Sequence, residues 1–413
     1  MKNRFLFVTL MVVFSLLLAA CGPQAGEGEP TLPAELQPTL PEGLEPTMPV
    51  DLEPTLPAEV EPTMPAEVEP TMPAETEPGA GTEAEPTTAA TGEATEAAGE
   101  PIPPTGAGAG NTYVLVPKNL GNPYFDTANT GAQEAAEELG VTVNYQGSAT
   151  ADATEQIQLL NSLIAQEVNG LAISANDADA LVPTGQQAMD SGIPVVTWDS
   201  AISEGGRTIH INQAEAAGIA QVQIQMASEL AGGEGQIAIL SATSTAPNQN
   251  EWIALMEEEL QKPEYANLEL VTTVYGDDED EKSYNEANGL MQTYPDLKVI
   301  IAPTTVGIAA AARAVQDAGR VGEVFVTGLG TPNQMRDYVM SGASPQFALW
   351  NPADLGYLSV YALHAIATGE IEGSPGDTFS AGRLGEYTVQ DDGTVLLGPP
   401  TVFNEDNIND FDF

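Results

Sequence analysis

The sequence predicts an α/β protein made of two lobes, each built around a parallel sheet. Two observations carry this prediction. From residue 112 onward, short β-branched runs alternate with Ala-rich amphipathic stretches, and after one long helical stretch the alternation begins again. The first run, TYVLV over residues 112–116, has the length and branching of a buried strand. A helix over 128–139 follows and stops at Gly140, a residue suited to the left-handed turn that ends helices. A second strand spans 141–145, and the next helix sets Ile157, Leu160 and Ile164 on one face. Strands over 170–174, 195–198 and 208–211 complete the first lobe. The second lobe starts after a helical stretch and has strands over 236–240, 269–274, 298–302 and 323–327. Ligands of such open sheets gather outside the carboxyl ends of the strands, so the residues just after each strand are the candidate site.

Two unlike segments precede this region. Lys2 and Arg4 stand ahead of an apolar stretch over 5–20 that ends Leu18-Ala19-Ala20-Cys21, the form of an export signal cleaved before a lipidated cysteine. Residues 1–20 are therefore expected to be a lipoprotein signal peptide, with lipidation at Cys21. An ordinary signal whose cysteine is incidental is the alternative. Residues 22–110 hold 18 of the 32 prolines and 18 acidic residues but no Lys or Arg. An eight-residue period runs through Glu29, Gln37, Glu45, Glu53, Glu61, Glu69 and Glu77, each followed by proline. Two prolines per octad forbid a helix and leave polyproline II or extended coil. Residues 21–110 thus read as a disordered Pro/Glu/Thr-rich tether, reaching at most ~280 Å at ~3.1 Å per residue. The octads could instead bind a wall polymer through Leu32, Leu40 and Met48, although one apolar residue per octad is little to bind with.

Composition narrows the function classes. The chain has 413 residues, 60 Asp plus Glu against 11 Lys plus Arg, and a formal charge of −49, which argues against a nucleic-acid partner. One cysteine excludes an internal disulfide framework and multi-cysteine metal sites. His210 and His364 stand apart in sequence, so structural roles are expected for both and no metal site or cofactor is predicted. The acidic run over 277–281 lacks the spacing and glycine of a calcium loop and reads as a solvated loop.

The strand ends are rich in groups that suit a neutral polyol. Lys118, Asn122, Tyr124 and Phe125 follow the first strand, and Trp198 and Asp199 end the fourth. Asn248 and Gln249 follow the first strand of the second lobe; Pro303, Thr304 and Thr305 come later, then Trp350 and Asn351. A carboxylate can accept from two neighbouring hydroxyls, amides both donate and accept, and aromatic faces cover C–H surface. Each residue also has a plainer role open to it. Lys118 can be a solvated cation, Tyr124 and Phe125 core staples, and Trp198 ordinary core. Asp199 is harder to dismiss, because a carboxylate directly after an apolar run needs water, a partner or a ligand.

Eight ordered blocks then give a resemblance: VPKNLGNPYF (116–125), ISANDADALVP (173–183), PVVTWDS (194–200), LSATSTAPNQN (240–250), VYGDD (274–278), IIAPTTVGIAAAA (300–312), VTGLG (326–330) and ALWNPADLGY (348–357). Residues 111–413 resemble rhamnose-binding ABC-transporter solute receptors and, less closely, autoinducer-2 receptors. The resemblance implies a type I periplasmic-binding-protein fold of two Rossmann-like lobes joined by a hinge of three crossings, near Asn212, near Asn351 and after the helix ending around Thr368. The lobes would then comprise 111–211 with 352–370, and 212–351 with 371–413.

In the autoinducer-2 receptors the pocket lysine matches Lys118 and the aspartate Asp199. Their Asp-Gln pair falls on Asn248 and Gln249, and their Pro-x-Ala on Pro303, Thr304 and Thr305. Asn248 and Thr305 depart from that pattern but agree with the rhamnose receptors, so a deoxyhexose is the expected ligand. The wider sugar-binding family nominates Asn351 as a contact to sugar hydroxyls. The resemblance further implies a monomeric, non-enzymatic receptor, lipid-anchored outside the cell membrane, that hands its sugar to an ABC permease. A sensor that presents its loaded form to a signalling partner is the alternative. A glycoside hydrolase would need a second carboxylate beside Asp199, and a transcription regulator would need a basic helix-turn-helix.

Overall fold

The computed structural model describes residues 107–413. The expected signal segment, Cys21 and the repeat tether up to residue 106 lie outside the described residues.

The first lobe is a βα alternation of β1 (Thr112–Val116), α1 (Pro123–Leu139), β2 (Thr142–Tyr145), α2 (Ala153–Ala165), β3 (Gly170–Ile173), α3 (Val182–Asp190), β4 (Val195–Trp198) and β5 (Ile209–Asn212). The second contains α4 (Ala216–Ala231), β6 (Gly235–Ser241), α5 (Pro247–Glu259), β7 (Leu268–Tyr275), α6 (Asp280–Thr293), β8 (Leu297–Ala302), α7 (Thr305–Asp317), β9 (Phe325–Gly328), α8 (Pro332–Ser341) and β10 (Gln346–Leu349). The chain then runs through α9 (Pro352–Ala367), β11 (Thr378–Ser380), β12 (Glu386–Thr388), β13 (Thr394–Leu396) and β14 (Thr401–Asn404). This is the α/β two-lobed fold expected from the sequence.

The first sheet has the order β13-β5-β4-β3-β1-β2, with every pairing parallel. Its strands are covered on both faces, which is why they read as unbroken apolar runs rather than alternating ones. In β1, Tyr113 and Leu115 join the core against α1, whereas Val114 and Val116 join a second core with Leu160, Leu163 and Leu181. The second sheet is β7-β6-β8-β9, again parallel. It is extended by a bridge from Leu329 to Ala348 of β10, which pairs antiparallel with β14.

The strand order reverses between β1 and β3 in one sheet and between β6 and β8 in the other. Such switch points leave crevices at the carboxyl ends of the strands, because the flanking connections depart to opposite faces. Helix α1 begins at the first crevice, with Asn122 capping it by accepting from the Tyr124 amide and Gly140 ending it at φ 66°. Helices α1 and α9 pack backbone to backbone. A Cβ on Gly131 would lie 1.8 Å from the Ala353 carbonyl oxygen, and one on Gly356 would lie 1.9 Å from that of Ala128.

The chain passes from one sheet to the other after β5, after β10, and between β13 and β14. The third passage corrects the expectation that the chain leaves the first lobe after α9. Residues 371–396 stay with the first lobe, because β13 pairs with the free edge of β5 through Thr394 and His210, Val395 and Ile211, and Leu396 and Asn212. Only from β14 onward does the chain belong to the second lobe.

Candidate functional site

Both crevices open onto the same space, and direct hydrogen bonds close one lobe on the other across it. Lys118, two residues beyond β1, donates to Asn248 Oδ1 at 2.6 Å and to Gln249 Oε1 at 3.0 Å, both on the first turn of α5 beyond β6. One side chain thus joins the two switch points. Thr305 Oγ1 donates to Asn122 Oδ1 at 3.2 Å, and Asn248 Nδ2 donates to the Asp199 carbonyl at 3.2 Å. Trp350 Nε1 donates to the Tyr124 hydroxyl at 2.9 Å, tying the second crossing to α1.

Asp199 is the most constrained residue of the site. It follows β4 directly and has φ 60°, in the left-handed region that a non-glycine residue adopts only at a cost. Its Oδ2 accepts from Ser174 Oγ at 2.7 Å and lies 3.8 Å from Lys118 Nζ, while Oδ1 accepts from the Tyr124 hydroxyl at 3.1 Å. The reversed backbone explains why Trp198 and Asp199, neighbours in sequence, do different work. Trp198 is wholly buried, donates to the Ala172 carbonyl and lies edge-on beneath Phe125 at 5.7 Å. It supports the cavity from below and does not line it, which corrects its place among the ligand-contacting candidates.

The space between the two crevices, open to solvent on one side, amounts to about 340 Å³ with its mouth included. Its walls include Lys118, Asn122, Tyr124, Phe125, Asp199, Gln249, Pro303, Thr304, Thr305 and Trp350. Asn248 stands just behind, bonded to Lys118 and to Asp199. Asn351 is not among the wall residues, and its Oδ1 accepts from the Ala353 amide and caps α9. A wider, solvent-open cavity of about 900 Å³ adjoins the site past Asp199 and Trp252 and reaches Arg207, Glu251 and Asp392.

Four wall residues lie outside the candidate set. Trp252 lies one helical turn after Asn248 on α5, and that i to i+4 spacing was a readable signal. Leu329 and Leu349 sit at the ends of β9 and β10, where the strand-end rule applies equally to apolar side chains. The fourth is Asp278. The acidic run over 277–281 was expected to be solvated throughout, and Glu279 and Asp280 are indeed exposed, but Asp278 is 9% exposed and faces the cavity. Two successive left-handed residues, Asp277 at φ 54° and Asp278 at φ 55°, turn it inward, where it accepts from Thr304 Oγ1.

Burial and charge act together here. Lys118 is 2% exposed, and burial pushes its pKa below the usual lysine range while the charges of Asp199 and Asp278 pull it partly back. Burial raises the Asp278 carboxyl, against the Thr304 hydrogen bond and the Lys118 charge. The Tyr124 phenol is raised well above its usual value, first by burial and then by the Asp199 charge, so it stays a hydroxyl donor. Among the described residues no cluster of His, Cys, Asp and Glu could hold a metal ion, and no helix is long and apolar enough to cross a membrane.

Two parallel-sheet lobes, joined by three passages and closed over a polar and aromatic cavity at their switch points, define a bilobal binding receptor. Residues 113–371 match the model of the periplasmic binding protein domain, and the chain belongs to that family. Its homologues are extracytoplasmic, non-enzymatic components of transport. A sugar ABC transporter structure from Actinomyces odontolyticus is 45% identical, covers 73% of this chain and 98% of its own, and superposes with a TM-score of 0.60. An ABC transporter solute-binding protein of Clostridium phytofermentas with bound L-rhamnose is 38% identical over 73% of this chain and 98% of its own, with a TM-score of 0.71. LsrB of Clostridium saccharobutylicum, in complex with AI-2, is 27% identical over 73% of this chain and all of its own, with a TM-score of 0.70.

Proposed function

We propose that this protein captures one monosaccharide, a deoxyhexose such as L-rhamnose, between its lobes and delivers it to an ABC permease. The observation that carries this is the Asp199 carboxylate, held by Ser174 and Tyr124 beside the Lys118 ammonium in the wall of the cavity between the lobes. Carboxylate, ammonium and amide groups satisfy ring hydroxyls, while Tyr124, Phe125, Trp252 and Trp350 cover the C–H faces.

The site residues divide between the lobes: Lys118, Asn122, Tyr124, Phe125 and Asp199 from the first, and Gln249, Asp278, Thr304 and Thr305 from the second. A sugar that touches both sets binds the closed form more tightly than the open one, and that difference in affinity closes the hinge. No bond is made or broken. The receptor would act as a monomer, held outside the cell membrane by a lipid on Cys21, with residues 22–110 as the spacer that lets the lobes reach the permease.

The test is calorimetric titration of the purified chain, unfolded and refolded to remove carried-over ligand, with L-rhamnose, D-ribose and AI-2. Saturable L-rhamnose binding that Asp199→Ala abolishes supports the proposal. Binding of AI-2 alone moves the signalling reading ahead, and turnover of any sugar refutes the receptor role.

A further inference from the structure

The cavity is not uniformly polar, and the second sheet sets the gradient. Across the order β7-β6-β8-β9-β10, the strand ends contribute Asp278, then Gln249, then Thr304 and Thr305, and finally Leu329 and Leu349. Hydrogen-bonding capacity is therefore concentrated at one end, and the other is aliphatic.

Several polar groups of the wall are already engaged. Trp350 Nε1 donates to the Tyr124 hydroxyl, that hydroxyl donates to Asp199, and Thr305 Oγ1 donates to Asn122. The backbone is committed as well: the Leu329 amide donates to the Ala302 carbonyl, the Gly330 amide to the Ala348 carbonyl, and Leu349 pairs with Thr401 in the β10–β14 ladder. Leu329 and Leu349 are 2% and 1% exposed, and both line the cavity. A hydroxyl placed there would lose water and gain no partner, whereas a methyl group would only exchange water for carbon contacts.

We infer that Leu329 and Leu349 form a methyl subsite that selects sugars carrying C–CH3 where the parent hexose carries CH2OH. This rests on the monosaccharide reading above and names the residues that would make it specific for a deoxy sugar. Lys118, Asp199 and Gln249 hold the ring hydroxyls of deoxy and parent sugars alike, so the two leucines determine the difference between them.

The experiment compares matched pairs on the full chain by calorimetry: L-rhamnose with L-mannose and L-fucose with L-galactose, each pair differing only by that hydroxyl, with L-lyxose lacking the carbon. For the pair that binds, the deoxy sugar should be about 10- to 100-fold tighter than its parent, from the unpaired hydroxyl. L-Lyxose should be ~4-fold weaker than L-rhamnose, from one lost methyl contact. Leu329→Asn supplies a donor and an acceptor and should reduce the ratio to under ~3-fold. Leu349→Thr serves as a second variant, and the ratios in the unmodified chain need no variant at all. Equal or tighter binding of the parent hexoses, or a ratio that neither substitution changes, overturns the subsite while leaving sugar binding intact. Silence toward all five sugars overturns the subsite together with the deoxyhexose reading, and binding of D-ribose in that case shows that a sugar receptor remains.

Discussion

Replacing Lys118 with methionine removes a buried ammonium and leaves its partners in place. Lys118 Nζ lies 3.8 Å from Asp199 Oδ2, with side chains 3% and 6% exposed. At an effective dielectric of about 20 the attraction across that distance is roughly 4 kcal/mol. The desolvation of the lysine is regained in the variant, but Asp199 stays buried without its cation and the amide oxygens of Asn248 and Gln249 lose their donor. Breaking one side of such a pair costs about 3–5 kcal/mol. For a body of this size, at ~2 °C per kcal/mol, the melting temperature should fall by roughly 6–10 °C. Scanning calorimetry of ligand-free protein measures this, and the double variant Lys118→Met with Asp199→Asn should recover part of the loss because the stranded charge is gone. A fall under ~2 °C, or no recovery in the double variant, would mean that the pair is hydrated in the ligand-free protein and would refute the reasoning.

Three further outcomes follow from the geometry. Asp199→Asn keeps the shape and tolerates φ 60°, so affinity for the bound sugar should fall about 10- to 150-fold, the loss of a charged hydrogen bond, with a fall in melting temperature of the same order as for Lys118→Met because the buried ammonium loses its carboxylate. Titration calorimetry and melting of the same sample separate the two effects. His210 is buried, and burial together with the Arg207 charge lowers its pKa to about 3, against the opposing Thr197 hydrogen bond and Asp392 charge. The unfolded chain, at ~6.5, binds the extra proton first, so His210 should cost ~1.4 kcal/mol of stability per unit as pH falls from ~6.5 toward ~3. His210→Gln should flatten that part of the slope in urea melts at pH 7, 6, 5 and 4. Gly131→Ala places a methyl 1.8 Å from the Ala353 carbonyl and should destabilise by about 1–3 kcal/mol, whereas Gly289→Ala on α6, with nothing within 4 Å, should stabilise by ~0.4–1 kcal/mol; chemical denaturation compares the two.

The alternation of β-branched and Ala-rich segments was enough to place the strands through β9 within about two residues, because doubly covered parallel strands must be continuously apolar. The end of the chain was not legible. Strands β13 and β14 are three and four residues long, and nothing within TVL or TVFN says which sheet edge each will meet. That choice depends on which edges the earlier chain has left open.

The site shows the same division. Lys118 and Asp199 could be singled out because a charge at the end of an apolar run has few inexpensive places to go. Asp278 was hidden by four acidic neighbours, and only the backbone sign at residues 277 and 278 turns it inward. Trp198 and Trp350 look alike as aromatics at strand ends, yet one is core and the other wall, since side-chain direction at a strand end is set by the residue that breaks the strand. Asn351, expected as a sugar contact, also caps the first turn of α9 through its Oδ1.

The return of β13 to the edge of β5 has a consequence for how the molecule comes into being. Because β13 and β14 lie within residues 394–404, the first sheet lacks its β13 edge and β10 lacks its partner β14 until residue 404 has been made. A ribosome-bound chain cannot complete the first lobe and then begin the second. Both await residues 394–404, which link the edge strand of the first sheet to the strand that pairs with β10. Unfolding, run in reverse, should release both edges together and appear as one cooperative transition rather than two.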